Sequence, residues 1–172
     1  MDTKEKILQV AFNMFLQDGY KGVSLKQIVN AVGLTKGAFY HHFSGKEELF
    51  SQVLEIYLLD GGDRVYDGLP TDNLKDFMTG YLDQVSAFID KLQREIYSEN
   101  RQVGLSYFYL AFDALRLVPG FGEKMRRIHK KERDRWLAVI RNAKNNNEIS
   151  TPITDIQLVK MFIGVNDGLG MH

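Results

Sequence analysis

The sequence predicts an all-α protein, and three observations predict it. Almost every segment repeats its apolar residues at helical spacing, with no convincing strand alternation. Capping residues and glycines cut the first fifty residues into short helices. Longer amphipathic stretches follow, separated by glycine, proline and asparagine breaks. The architecture expected is an N-terminal three-helix domain, joined by a linking helix to a C-terminal helical bundle.

The first helix is expected from about Thr3 to Asp18, with Ile7, Ala11, Met14 and Phe15 on one face, and Gly19 as a left-handed cap. Ser24-Leu25-Lys26-Gln27 reads as a capping box, in which the serine hydroxyl and the glutamine side chain satisfy each other's backbone N–H groups. The short helix it opens ends near Val32, and Gly33 supplies a tight turn. Thr35 caps a third helix, Lys36 to about His42, and Ser44-Gly45-Lys46-Glu47 is a second capping box opening a fourth helix to about Asp60. Gly61-Gly62 and Gly68-Leu69-Pro70 are expected to break the chain. Beyond them come helices from Asp72 to about Glu95, Gln102 to Leu117 (stopped by Pro119-Gly120), Gly122 to Ala143, and one beginning near Thr154.

Composition narrows the function classes. The 172 residues are 44% hydrophobic and 26% charged, which is globular composition. The 22 basic and 22 acidic residues cancel, so a nucleic-acid footprint has to come from position rather than total charge. No cysteine is present, which removes disulfides and thiolate chemistry and fits a cytoplasmic protein. The apolar stretch from Leu105 to Val118, interrupted by Asp113 and Arg116, is too short to span a bilayer, so no membrane partner is expected.

Two short capped helices around a glycine turn are what a helix-turn-helix needs: one braces the backbone, the other enters the major groove of DNA. Residues 24–43 carry that motif, within a DNA-binding domain expected over residues 1–50. Ile28, Leu34, Phe39, Phe43 and Leu49 can pack on Ala11 and Phe15, leaving Lys36, Gly37, Tyr40 and His41 outward. Glycine inside a helix costs about 1 kcal/mol relative to alanine. Gly37 therefore makes sense where backbone must approach a phosphate or a base edge.

The run Thr35-Lys36-Gly37-Ala38-Phe39-Tyr40-His41-His42-Phe43-Ser44-Gly45-Lys46-Glu47-Glu48-Leu49, with Ala11-x-x-x-Phe15 and Gly19-Tyr20 upstream, resembles the signature of the tetracycline-repressor (TetR) type regulators. The resemblance is close over residues 5 to about 54; beyond that only the all-helical layout agrees. It implies a homodimeric DNA-binding regulator of the repressor type, with residues 51–172 holding a small-molecule pocket and the dimer interface. It also implies DNA contacts at Lys26 and at Thr35, Lys36 and Gly37, where a helix N-terminus favours phosphate. Lys36 and His41 are the candidates for base edges, Tyr40 and Lys46 for phosphates, and His42 for phosphate or for bracing the helix.

Other readings are weaker. His41 and His42 diverge by about 100° on a helix and share a metal poorly, so no metal is expected. Lys130 to Arg135 alternates in sign and reads as a solvated face. Asp113, Arg116, His129 and Glu132 could meet in an active site, but no nucleophile, phosphate loop or metal spacing accompanies them, so no enzyme and no cofactor are expected. A helical small-molecule-binding or scaffold protein without DNA activity is the alternative, against which Lys36, Gly37, Tyr40 and Lys46 stand.

For the effector, Phe77, Tyr81, Phe88, Tyr107, Phe108, Phe112 and Trp136 are the candidate lining, which suits an apolar or aromatic molecule. Leu105, Phe108, Phe112 and Leu115 read equally well as an ordinary buried stripe. A dimer on a palindromic operator is expected because one small helix-turn-helix covers too few bases. Ile156, Val159, Phe162 and Ile163 of the last helix are the expected interface. That helix is still apolar at Gly168-Leu169-Gly170-Met171-His172, so a further dimerisation helix is expected beyond it.

Overall fold

The computed structural model describes residues 2–96 and 103–170, and these are helical apart from turns. Gln102, Met171 and His172, named above, lie outside the described residues, as do the side chains of Leu105 and Leu169. In order the elements are α1 (Thr3–Gly22), α2 (Leu25–Val32), α3 (Lys36–Tyr40), α4 (Lys46–Leu54), a π-helical turn (Glu55–Leu59), α5 (Asp60–Arg64), α6 (Leu74–Glu95), α7 (Val103–Leu117), α8 (Phe121–Asn145) and α9 (Asp155–Gly170). They form two compact units, Met1–Asp60 with Leu92–Gly122, and Gly61–Lys91 with Glu123–His172.

In the first unit the caps follow from local sequence. Asp2 and Glu5 form a capping box at α1, with Glu5 N–H donating to Asp2 at 2.8 Å and Asp2 N–H to Glu5 at 2.8 Å. Ser24 and Gln27 do the same at α2. Gly33 then takes φ 78°, and its N–H closes α2 on Asn30 and Val29. Ile7, Ala11, Phe12, Phe15, Ile28, Phe39, Phe43, Leu49 and Phe50 are fully buried, as the helical spacing implies, while Leu34 is half-buried. Each fully buried isoleucine, leucine or phenylalanine among them contributes about 1.5–3 kcal/mol by leaving water.

Three expectations about the fourth helix are corrected. The second capping box does not form: Gly45 is the N-cap and makes no side-chain cap, and Ser44 instead donates its N–H and hydroxyl to Glu48, one residue later, at 2.7 Å each. The helix does not run uniformly to Asp60. It widens into the π-turn, closed by the Asp60 N–H on the Glu55 carbonyl. Nor do Gly61-Gly62 break the chain, because Asp60–Arg64 is helical. Gly61 is there for space: a Cβ on it would stand 2.0 Å from the Phe88 ring.

The second unit is built on Tyr66, Leu69, Phe77, Tyr81, Trp136, Val139, Ile140 and Val159. Tyr66 and Tyr81 stack at 5.2 Å, Phe77 meets Trp136 edge-on at 4.9 Å, and Phe162 of α9 stacks on Trp136 at 5.0 Å. Buried among them is one charged side chain, Glu132, which accepts from the Tyr66 hydroxyl at 2.6 Å and has His129 Nδ1 at 3.4 Å. The face of α9 expected at an interface is thus turned inward: Val159 is buried, and Phe162 and Ile163 pack on this core. Ile156 stays exposed, and Met161 and Val165 are exposed instead.

The stripe expected on α7 is also corrected. Among the described residues Leu110 and Ala114 are its buried ones, while Phe112 is 59% and Leu115 51% exposed. Among the described residues no helix is long and apolar enough to cross a membrane.

Candidate nucleic-acid interface

The turn between α2 and α3 is fixed by backbone chemistry. Lys6 Nζ donates to the Val32 carbonyl at 3.1 Å, and the Leu34 N–H to the Val29 carbonyl at 3.1 Å, so the end of α2 is satisfied twice. Thr35 Oγ1 accepts the Ala38 N–H at 3.2 Å and starts α3. That helix closes at Tyr40, two residues before the expected end, with His41 as its C-cap. Buried Phe39, lying 5.6 Å from the Phe43 ring, sets its rotation.

That rotation decides what faces outward. Lys26, Thr35, Lys36, Gly37, Tyr40 and His41 are exposed, and His42 is half-buried. Lys36 Nζ lies 5.9 Å from the Tyr40 ring, which aligns the two side chains along one edge of α3. A Cβ on Gly37 would meet nothing nearer than Thr35 Oγ1 at 4.0 Å, so nothing inside the chain requires glycine there. Of the seven residues expected at DNA on or beside α2 and α3, six are exposed and His42 is half-buried.

Lys46 is different. It is half-buried, its ammonium donates to the Tyr20 carbonyl, and it lies 3.9 Å from the Tyr20 ring centroid. Desolvation holds its pKa below the usual lysine value, against the attraction of Glu47 and Asp113. Tyr20 in turn donates its hydroxyl to Glu47 at 3.2 Å, and its phenol is pushed up by burial and by that carboxylate. An ammonium has three donors, so the bond to Tyr20 leaves two for a phosphate.

A further signal lies in the sequence itself. Residues 19–46 contain Lys21, Lys26, Lys36, Lys46 and two histidines and not one acid, although the whole chain is neutral. A local basic window of this kind is the electrostatic footprint a DNA surface needs.

The candidate effector residues divide between the two units. Phe77, Tyr81 and Trp136 are packed solid in the second unit, where Phe88 closes on Gly61. Tyr107, Phe108 and Phe112 belong to the first unit. Tyr107 has a structural task there: its hydroxyl donates to the Tyr57 and Leu58 carbonyls at 3.3 and 3.2 Å, inside the π-turn, and burial pushes its phenol up. The second unit does hold a groove of about 390 Å³, lined by His129, Glu132, Arg133, Leu137, Ile156, Val159, Lys160, Ile163 and Gly164, none of them among the seven. Asp113, Arg116, His129 and Glu132 likewise divide between the two units and supply no active-site cluster within either.

Fold and site thus define the class: a helical protein with a helix-turn-helix head. Residues 7–53 match the family model of bacterial regulatory proteins, tetR family. The transcriptional regulator AcrR of Shigella flexneri is 44% identical over 55 residues, 32% of this chain and 26% of that protein. QacR of Staphylococcus aureus, another transcriptional regulator, is 41% identical over 56 residues, 33% of this chain and 30% of that protein. The chain thus spans less than a third of the length of these curated relatives in the match. Among solved structures, the ketosteroid transcriptional regulator KstR2 of Mycobacterium tuberculosis has a TM-score of 0.71 at 17% identity, over 98% of this chain and 82% of that one. The TetR family regulator PfmR of Thermus thermophilus has 0.68 at 16%, over 99% and 85%. These likenesses show the same fold beyond the head. Residues 7–53 thus carry a helix-turn-helix domain of the tetR type, and the rest of the chain shares the fold of these regulators.

Proposed function

We propose that the protein is a sequence-specific DNA-binding transcriptional regulator, a repressor that acts as a homodimer on a palindromic operator and is released by a small molecule. The observation that carries the reading is the capped α2–turn–α3 unit. It presents Lys26, Lys36, Tyr40 and His41 outward from an acid-free window. In this reading residues 1–50 are the DNA-binding domain and 51–172 the effector and dimerisation domain. Lys36 and His41 read base edges; Lys26 reaches a base or a phosphate; Thr35, Gly37, Tyr40 and Lys46 hold phosphates; His42 braces the helix or joins them.

The effector is an apolar or aromatic molecule. The groove between α8 and α9, with Leu137, Ile156, Val159 and Ile163 along it, supports a site of suitable size better than the packed aromatic cluster does. Selection from random duplex DNA tests the central claim. The expected result is a consensus of two inverted half-sites, centred about 34 Å apart, bound with a steep dependence on salt. No enriched consensus, or binding indifferent to salt, refutes it.

A further inference from the structure

Helix α7 is no part of the helix-turn-helix, yet one of its side chains reaches the backbone of α1 just before that motif. Gly19 interrupts α1 with φ 67° and ψ 171°, so the Tyr20 N–H falls out of the helical ladder. Asp113 of α7 takes it up: its Oδ2 accepts the Tyr20 N–H at 3.1 Å. The approach is close, since a Cβ on Gly19 would lie 3.4 Å from the same oxygen, and φ there disfavours any side chain. On the other side of the same residue, the Tyr20 carbonyl accepts the Lys46 ammonium, which also lies over the Tyr20 ring. Asp113, Tyr20 and Lys46 are therefore linked in series, from α7 through the end of α1 to the first residue of α4.

The series has a direction. A carboxylate accepting a backbone N–H is a strong, charge-assisted bond, so Asp113 fixes the Tyr20 residue. A fixed Tyr20 offers a fixed carbonyl and ring, and these hold a lysine that would otherwise sample many rotamers. We propose that Asp113 is a positioning residue for DNA binding: it orders the Lys46 ammonium through Tyr20 before any phosphate arrives. This rests on the proposed reading of the head as a DNA-binding surface. Ordering one long side chain beforehand is equivalent to roughly 2- to 12-fold in affinity.

The test is a double-mutant cycle on the full chain with a selected operator duplex, after wild-type binding has been measured. Asp113→Ala is expected to weaken binding by about 2- to 12-fold, equally on operator and on unrelated duplex, because a phosphate contact carries no sequence information. In the Lys46→Ala background the same substitution is expected to change affinity by less than about 2-fold, the coupling expected of groups acting in series. Asp113→Asn keeps an acceptor for the Tyr20 N–H and is expected to rescue both the affinity and the hydrogen-exchange protection of the Tyr20 amide. Additive losses in the cycle overturn the proposal, as does loss of affinity in Asp113→Asn with the Tyr20 amide still protected. Wild-type binding with an unchanged Asp113→Ala affinity overturns it alone; no wild-type binding overturns it together with the proposed function.

Discussion

Replacing Tyr66 by phenylalanine should destabilise the protein through a single oxygen atom. The Tyr66 hydroxyl donates to Glu132 Oε1 at 2.6 Å and accepts from Trp136 Nε1 at 3.4 Å, and Tyr66 is 3% exposed. Removing it costs a charge-assisted bond and leaves a carboxylate oxygen with one donor fewer in a buried place. That loss is about 1.5–3 kcal/mol. For a chain of this length each kcal/mol shifts the melting temperature by about 2–4 °C, so a fall of roughly 3–12 °C is expected. Urea unfolding followed by Trp136 fluorescence is the assay, with a lower midpoint at unchanged slope. Glu132→Leu together with Tyr66→Phe should recover much of the loss, because the buried carboxylate goes with its donor and only the long Trp136 Nε1 bond is left unmade. A Tyr66→Phe change below about 0.5 kcal/mol would refute the reasoning, placing the effect among ordinary surface substitutions. So would losses that simply add in the double variant.

Burial and Glu132 push the Tyr66 phenol far above its usual value. A raised folded-state value means stability that is complete below pH about 10 and is lost above it, at up to about 1.4 kcal/mol per pH unit. Tyr66→Phe should therefore lose less stability than the wild type between neutral pH and pH about 11 in alkaline unfolding. Gly61→Ala should destabilise through the clash with Phe88, and Phe88→Ala should relieve part of it; equal melting temperatures for Gly61→Ala and the wild type would remove the packing argument. Lys46→Ala should weaken DNA binding across all sequences and reduce the salt slope by about one contact, whereas Lys36→Ala should relax preference at one or two base pairs. The opposite pattern in a selection experiment would exchange their roles. A ligand that occupies the α8–α9 groove should change Trp136 fluorescence and lower DNA affinity by about 5–150-fold; ligands that do the first without the second would sever the coupling.

What the sequence made legible, and what it hid, divides by the range of the interaction. Ser24 with Gln27, Thr35 with Ala38 and the turn at Gly33 each span four residues or fewer, and each can be read from residue type because the partner is a backbone group at a fixed offset. The second capping box failed by one position for the same reason: with Gly45 as the cap, the carboxylate at Glu48 was in reach of the Ser44 N–H. No residue type announces a π-turn, since an i to i+5 bond changes only which carbonyl is used. The Tyr107 hydroxyl that serves two of its carbonyls lies some fifty residues away. Tyr66 with Glu132 is 66 residues apart and Tyr20 with Asp113 is 93.

Gly61 and the aromatic residues raise a separate problem, because glycine is used both to break a helix and to let one pack closely. Phenylalanine and tyrosine likewise line cavities and fill cores. Phe77, Tyr81 and Trp136 fill a core; Phe112 faces solvent; Tyr107 braces backbone. The one composition was consistent with all three, and only the fold assigns them. The residues proposed to face DNA escape this ambiguity because the buried positions Phe39 and Phe43 fix the rotation of α3. Once Phe39 is known to be buried, the exposure of Lys36, Gly37 and Tyr40 follows from helical geometry. A DNA-reading helix is legible for that reason: its function is carried by the residues its core leaves over.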